Sequence, residues 1–107
     1  MDELRLSTVL DEFEQHEIVS VEYDWRNPNS YAGGTFVGVT VEQRPDKRLV
    51  VFVYDTGKPE FTWFRPDSGN RWIDEGSGAI VTVEPATSSQ IAALGRTISM
   101  WTMRKYR

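Results

Sequence analysis

The run Leu49-Val50-Val51-Phe52-Val53-Tyr54 is apolar at every position. A strand with one solvated face alternates between apolar and polar residues, whereas an uninterrupted apolar strand is covered on both faces. This segment, within a strand at about 48–55, is therefore expected to be the most central one. The flanking sequence has strand character as well. Over 18–26 the period is two, with Val19, Val21, Tyr23 and Trp25 facing one way and Ser20, Glu22 and Asp24 the other. Residues 35–43 place Val37, Val39 and Val41 on an inner face, and Gly38 within them marks a bend or a close backbone approach. Asn27-Pro28-Asn29-Ser30 with Gly33-Gly34 forms a loop, and Arg44-Pro45-Asp46-Lys47 a turn.

Asp55-Thr56-Gly57-Lys58 reads as a tight hairpin turn. It leads into a strand at 60–65 whose alternation sends Phe61 and Trp63 inward and puts Phe64 and Arg65 on opposite faces. Residues 66–78 are polar and rich in turn formers, with Trp72 and Ile73 as an internal anchor. A fifth strand at 79–84 turns Val81 and Val83 inward.

Both ends read as helices. Leu6, Val9, Leu10 and Phe13 recur at helical spacing, which predicts a helix over about 5–16 that lies as a lid on the strands. After Pro85, Thr87-Ser88-Ser89-Gln90 is a capping box that opens a helix over about 88–105. Ile91, Leu94, Ile98 and Trp101 share one stripe of it, and Gly95 costs it roughly 1 kcal/mol relative to Ala. The expected fold class is α+β in one domain spanning 1–107: a strongly bent five-stranded antiparallel sheet, or a small partly open barrel, with a short N-terminal and a longer C-terminal helix.

A chain of 107 residues has room for one core, and four Trp, five Phe and four Tyr are enough to fill it. The absence of cysteine excludes disulfides, thiolate zinc sites and cysteine nucleophiles, and fits a reducing compartment. The acidic start Met1-Asp2-Glu3 and the lack of any long apolar run give no sign of a signal peptide or membrane span. A cytoplasmic protein without a membrane partner is expected. The net charge of −4 is unevenly spread: eight acidic groups oppose Arg5 within 1–24, while 85–107 hold Arg96, Arg104, Lys105 and Arg107 with no acid. That balance is not that of a uniformly basic nucleic-acid binder.

The chemistry-bearing residues form no catalytic pattern. His16 stands alone, without a second nitrogen ligand or a thiol, so neither zinc nor a nucleophilic triad is expected. Asp11/Glu12 and Asp74/Glu75 are adjacent pairs, and the second is expected in a solvated turn before Gly76-Ser77-Gly78. The glycine clusters lead into strands, whereas phosphate-binding loops open helices. No catalytic residue, metal or cofactor is expected, and a binding function is.

Two surfaces are candidates. On the C-terminal helix, Met100, Met103, Arg104 and Tyr106 widen the apolar surface beyond one core contact and suit a protein partner or self-association. The alternative is a nucleic-acid surface built from Arg48, Phe64, Arg65, Arg71 and Trp72, since bases stack on rings while guanidinium groups hold phosphates. Core packing competes for the same aromatic residues.

The order of one short helix and five strands is that of Sm-like barrels. Within that group, residues 9–67 resemble the WYL-type domains of bacterial regulators. The likeness lies in Val19-Ser20-Val21-Glu22-Tyr23 after the helix, Arg48-Leu49-Val50-Val51-Phe52-Val53-Tyr54-Asp55 at the central strand, and Phe64-Arg65-Pro66-Asp67. Leu49-Val50-Val51 stands where the family's Trp-Tyr-Leu signature falls, and Pro66 where an aliphatic residue is usual. The resemblance implies Arg65 and Arg48 as ligand or nucleic-acid contacts in a small-barrel regulator.

Overall fold

Six antiparallel strands, each paired with the next in chain order, close into a barrel in the computed structural model, which describes residues 12–23, 34–53 and 59–105 and side chains as far as Met100. The strands are β1 Ile18–Tyr23, β2 Gly34–Gln43, β3 Arg48–Val53, β4 Pro59–Ser68, β5 Arg71–Asp74 and β6 Ile80–Pro85, followed by helix α1, Ser88–Lys105. Closure comes from β1, where Val21 pairs with Phe36 of β2 on one side and with Val83 of β6 on the other. Every strand thus has a neighbour on each side, although Pro59–Trp63 of β4 is laddered to β3 alone.

The barrel's two faces have separate cores. Inward alternation on four strands gathers Val19, Val21, Val50, Phe52, Phe64, Val81 and Val83 in the lumen. The outer face of β2 and β3 carries Val39, Val51 and Val53, which pack with Ile18 against Leu94 and Ile98 of α1. Residues Leu49 to Val53 are accordingly all buried, some under the helix and some in the lumen. Val37, Val39 and Val41 belong to the outer core, and the lumen face of β2 includes Gly38. There a Cβ would collide with Val50 Cγ1 and come within 3.0 Å of the Phe52 ring, so the close approach expected of this glycine is present.

Of the two expected forms, a strongly bent five-stranded sheet or a small partly open barrel, the chain takes the barrel, corrected to six strands and a closed ring. The additional strand is β5, only four residues long, in the segment expected to be a loop. Its apolar content is Trp72 and Ile73 alone, too little for periodicity to register. β4 also runs farther than expected, to Ser68. A bulge between Pro66 and Ser68 accommodates a proline that cannot donate to the ladder. Gly69, at φ 58°, then makes the turn into β5.

The predicted N-terminal helix lies mostly outside the described residues. What is described of it is a 3-10 turn, Phe13–Gln15, and not an α-helical turn. The loop with Trp25 and the hairpin turn at 55–58 also lie outside. At the other end the capping box forms in both directions: Thr87 N–H donates to Gln90 Oε1 at 2.9 Å, and Gln90 N–H to Thr87 Oγ1 at 3.2 Å. Gly95 makes room for the Phe13 ring, which would lie 3.2 Å from a Cβ at that position.

Candidate binding surfaces

Among the described residues the lumen is lined by packed apolar side chains, with polar side chains towards its ends. Edge-to-face contacts link Tyr23, Phe36, Phe52 and Phe64, with ring centroids 5.7–6.3 Å apart. At one end the Tyr23 hydroxyl donates to Asp74 Oδ2 at 2.7 Å. Asp74 Oδ1 accepts from the Gly76 and Ser77 amides at 2.8 and 3.2 Å. The sequence placed this carboxylate in a solvated turn; it is buried, and it organises the β5–β6 connection. Such a group tolerates burial because its lone pairs are satisfied.

Arg48 closes the opposite end. Its side chain is 12% exposed, its guanidinium lies 4.7 Å from the centroid of the Trp72 ring, and its Nε donates to Gln43 Oε1 at 2.8 Å. Glu17 stands 3.7 Å from it. This arrangement absorbs the planar donors that a phosphate would otherwise engage.

The five residues proposed from sequence as a nucleic-acid surface do not converge. Phe64 has no exposed surface, since it faces Phe52 in the lumen, so it cannot stack a base. Arg48 and Trp72 are occupied with each other. Arg71 is exposed and pairs with Asp67 at 3.8 Å, and Arg65 is exposed on the outer face of β4. Alternation was assigned the wrong way on this strand. Phe64 takes the lumen, and Phe61 and Trp63 stand outside.

Those two aromatics, which the sequence pattern assigned to the core, form an outer surface instead. Phe61 is 36% exposed. The Trp63 ring carries Lys47 Nζ at 4.5 Å and the Arg44 guanidinium at 5.1 Å from its centroid. Arg44 is also paired with Glu42 at 3.0 Å. The usable signal was that both parities of 60–65 hold an aromatic residue. Only the register against β3, where Phe64 faces Arg48 and Trp63 faces Leu49, decides between them.

On α1, Leu94 and Ile98 are spent on the barrel, while Met100 is 52% exposed. The side chains of Met103 and Arg104, and all of Tyr106, lie outside the described residues. His16 is half-buried at the end of the 3-10 turn. Among the described residues no group of three or more His, Cys, Asp or Glu side chains is placed to hold a metal ion. No helix among them is long and apolar enough to cross a membrane. No protein family, curated protein or solved structure matches this chain. The likeness to Sm-like and WYL-type domains therefore stands on the sequence segments that suggested it.

Proposed function

We propose that this protein is a non-enzymatic protein-binding module, a small cytoplasmic regulator, inhibitor or adaptor of the kind carried by phages and mobile elements, which presents helix α1 to its partner. The observation that carries the reading is the exposure of Met100 on a helix whose inward residues Leu94 and Ile98 are already buried. A flexible, polarizable Met at an exposed position, followed along the helix by Met103, Arg104 and Tyr106, has the composition that interface centres favour. The nucleic-acid alternative keeps Arg65 and Arg71 as its exposed cations.

The test replaces Met100, Met103 and Tyr106 together with Gln, Gln and Ser. The expected result is loss of the partner captured by the wild-type chain, with the far-UV spectrum and melting temperature retained. Unchanged capture would refute the assignment of α1. Binding of a single-stranded oligonucleotide at low salt, falling steeply as salt rises, would favour the alternative, because counterion release drives phosphate binding.

A further inference from the structure

The first half of β4, Pro59–Trp63, is laddered to β3 alone, because pairing with β5 begins at Phe64. The Trp63 carbonyl accepts from the Glu75 amide at 3.0 Å, on the side away from β3. In an antiparallel strand alternate residues send both backbone groups to the same side. Phe61 therefore directs its N–H and its carbonyl to that open side, and Pro59 its carbonyl. Among the described residues neither group of Phe61 meets a partner there.

Beside this edge lies a shallow depression of about 470 Å³, lined by residues 60–63 on one side and 74–77 on the other. Its charged side chains are Glu60, Asp74 and Glu75, with no cation among them. Asp74 is engaged by Tyr23 and the turn amides. Glu60 and Glu75 are exposed and, among the described residues, make no ion pair. The mixed charges around the Trp63 ring, Arg44, Lys47 and Glu42, come from the β2–β3 side and do not line the depression.

We infer that this edge takes an added strand, an extended segment of a partner protein with cationic side chains at alternate positions. Such a strand supplies an acceptor for the Phe61 amide and a donor for its carbonyl, as in other cases of strand addition. The incoming residue opposite Phe61 stands beside that partly exposed ring and suits an apolar side chain. Its neighbours turn to the face of Glu60, where Lys or Arg compensates the carboxylate. A second copy is the poorer occupant. Pairing two such edges about Phe61 would gather Glu60 and Glu75 of both copies in one place, and an inward-pointing charge on an edge strand opposes that pairing. The edge is short, so a dissociation constant on the order of 0.1–1 mM is expected.

The probe is the peptide Lys-Val-Lys-Val-Lys, capped at both ends, added to the full chain and followed by amide NMR shifts and hydrogen exchange. In the free chain the Phe61 amide is expected to exchange as an open one. At about 90% occupancy it should exchange about tenfold more slowly. The same peptide with N-methylated valines keeps every charge but loses its donors, and should bind at least about tenfold more weakly. The variant F61P removes the edge donor without taking a bond from β3, and should lose binding to the same extent, whereas F61A keeps the donor and should retain it. E60Q/E75Q should bind about 2- to 10-fold more weakly.

A Phe61 amide protected in the free chain, no shift up to about 5 mM peptide, equal binding of the N-methylated peptide, or unchanged affinity in E60Q/E75Q would each overturn the proposal. Protection that rises with protein concentration in the absence of peptide would overturn it in favour of a second copy. Should F61P fail to fold, the N-methylated peptide carries the same test on the wild-type chain. None of these substitutions touches α1, so capture through Met100 should be retained in all of them.

Discussion

Replacing Asp74 with Ala removes the acceptor for one half-buried phenol and two backbone amides. The amides belong to Gly76 and Ser77, which are exposed, so water replaces the carboxylate there and each loss is small. The Tyr23 hydroxyl is the larger contribution, because its bond is short and charge-assisted. Together these predict a loss of about 2–4 kcal/mol for D74A, and about 1–2 kcal/mol for Y23F. The two side chains share one bond, so the double variant should cost less than the sum. A coupling of about 1–2 kcal/mol is expected. Urea titrations followed by tryptophan fluorescence and far-UV dichroism, on all four chains at one pH, measure it. D74N keeps the volume and one acceptor oxygen and should fall between wild type and D74A. A coupling within about 0.3 kcal/mol of zero, or a D74A chain as stable as wild type, would refute the view that this carboxylate closes the barrel end.

Three further expectations use the same titrations. G38A should cost roughly 1–3 kcal/mol, because its methyl would enter the space of Val50 and Phe52; an increase in stability would show that the lumen has slack. F64A should cost about 3–5 kcal/mol, while W63A, on the exterior, should cost roughly 1–2 kcal/mol. The reverse order would mean that β4 is set the other way round. T87A removes one side of the capping box and should cost about 1 kcal/mol, readable as a lower urea midpoint with unchanged slope.

The most legible parts of the fold in the sequence were those where local chemistry and tertiary packing agree. Leu49 to Val53 must be covered on both faces whatever surrounds it, and it is. Thr87 and Gln90 satisfy each other within four residues, so their bonds need no knowledge of the rest of the chain. Gly38 signalled crowding correctly, although not which ring and methyl cause it. Two features depend on long-range pairing and were hidden. β5 exists because Arg71, Trp72 and Ile73 find both β4 and β6 beside them, and four residues have no period of their own. The inside and outside of β4 were exchanged because aromatics occupy both parities. The lumen chose Phe64, whose ring meets Phe52 edge-on. The candidate surfaces follow from that exchange. Phe64 passed from binding residue to core, while Trp63, expected in the core, came to the exterior with Lys47.

The seam between β1 and β6 has a consequence for the order in which the molecule can form. Residues 19–23 pair with 81–85, the Ala86 amide reaches the Ile18 carbonyl, and Gln90 Nε2 donates to Ser20 Oγ. During synthesis β1 is made first, yet it waits for more than half the chain before its second neighbour exists. Throughout that interval Val19 and Val21 lack one wall of their lumen, and β1 presents an open edge. Long-range closure of this kind slows folding and exposes apolar strand surface to other nascent chains. In the finished ring β1 is paired on both sides, so its period of greatest vulnerability to misassociation lies on the ribosome, before residue 85 emerges.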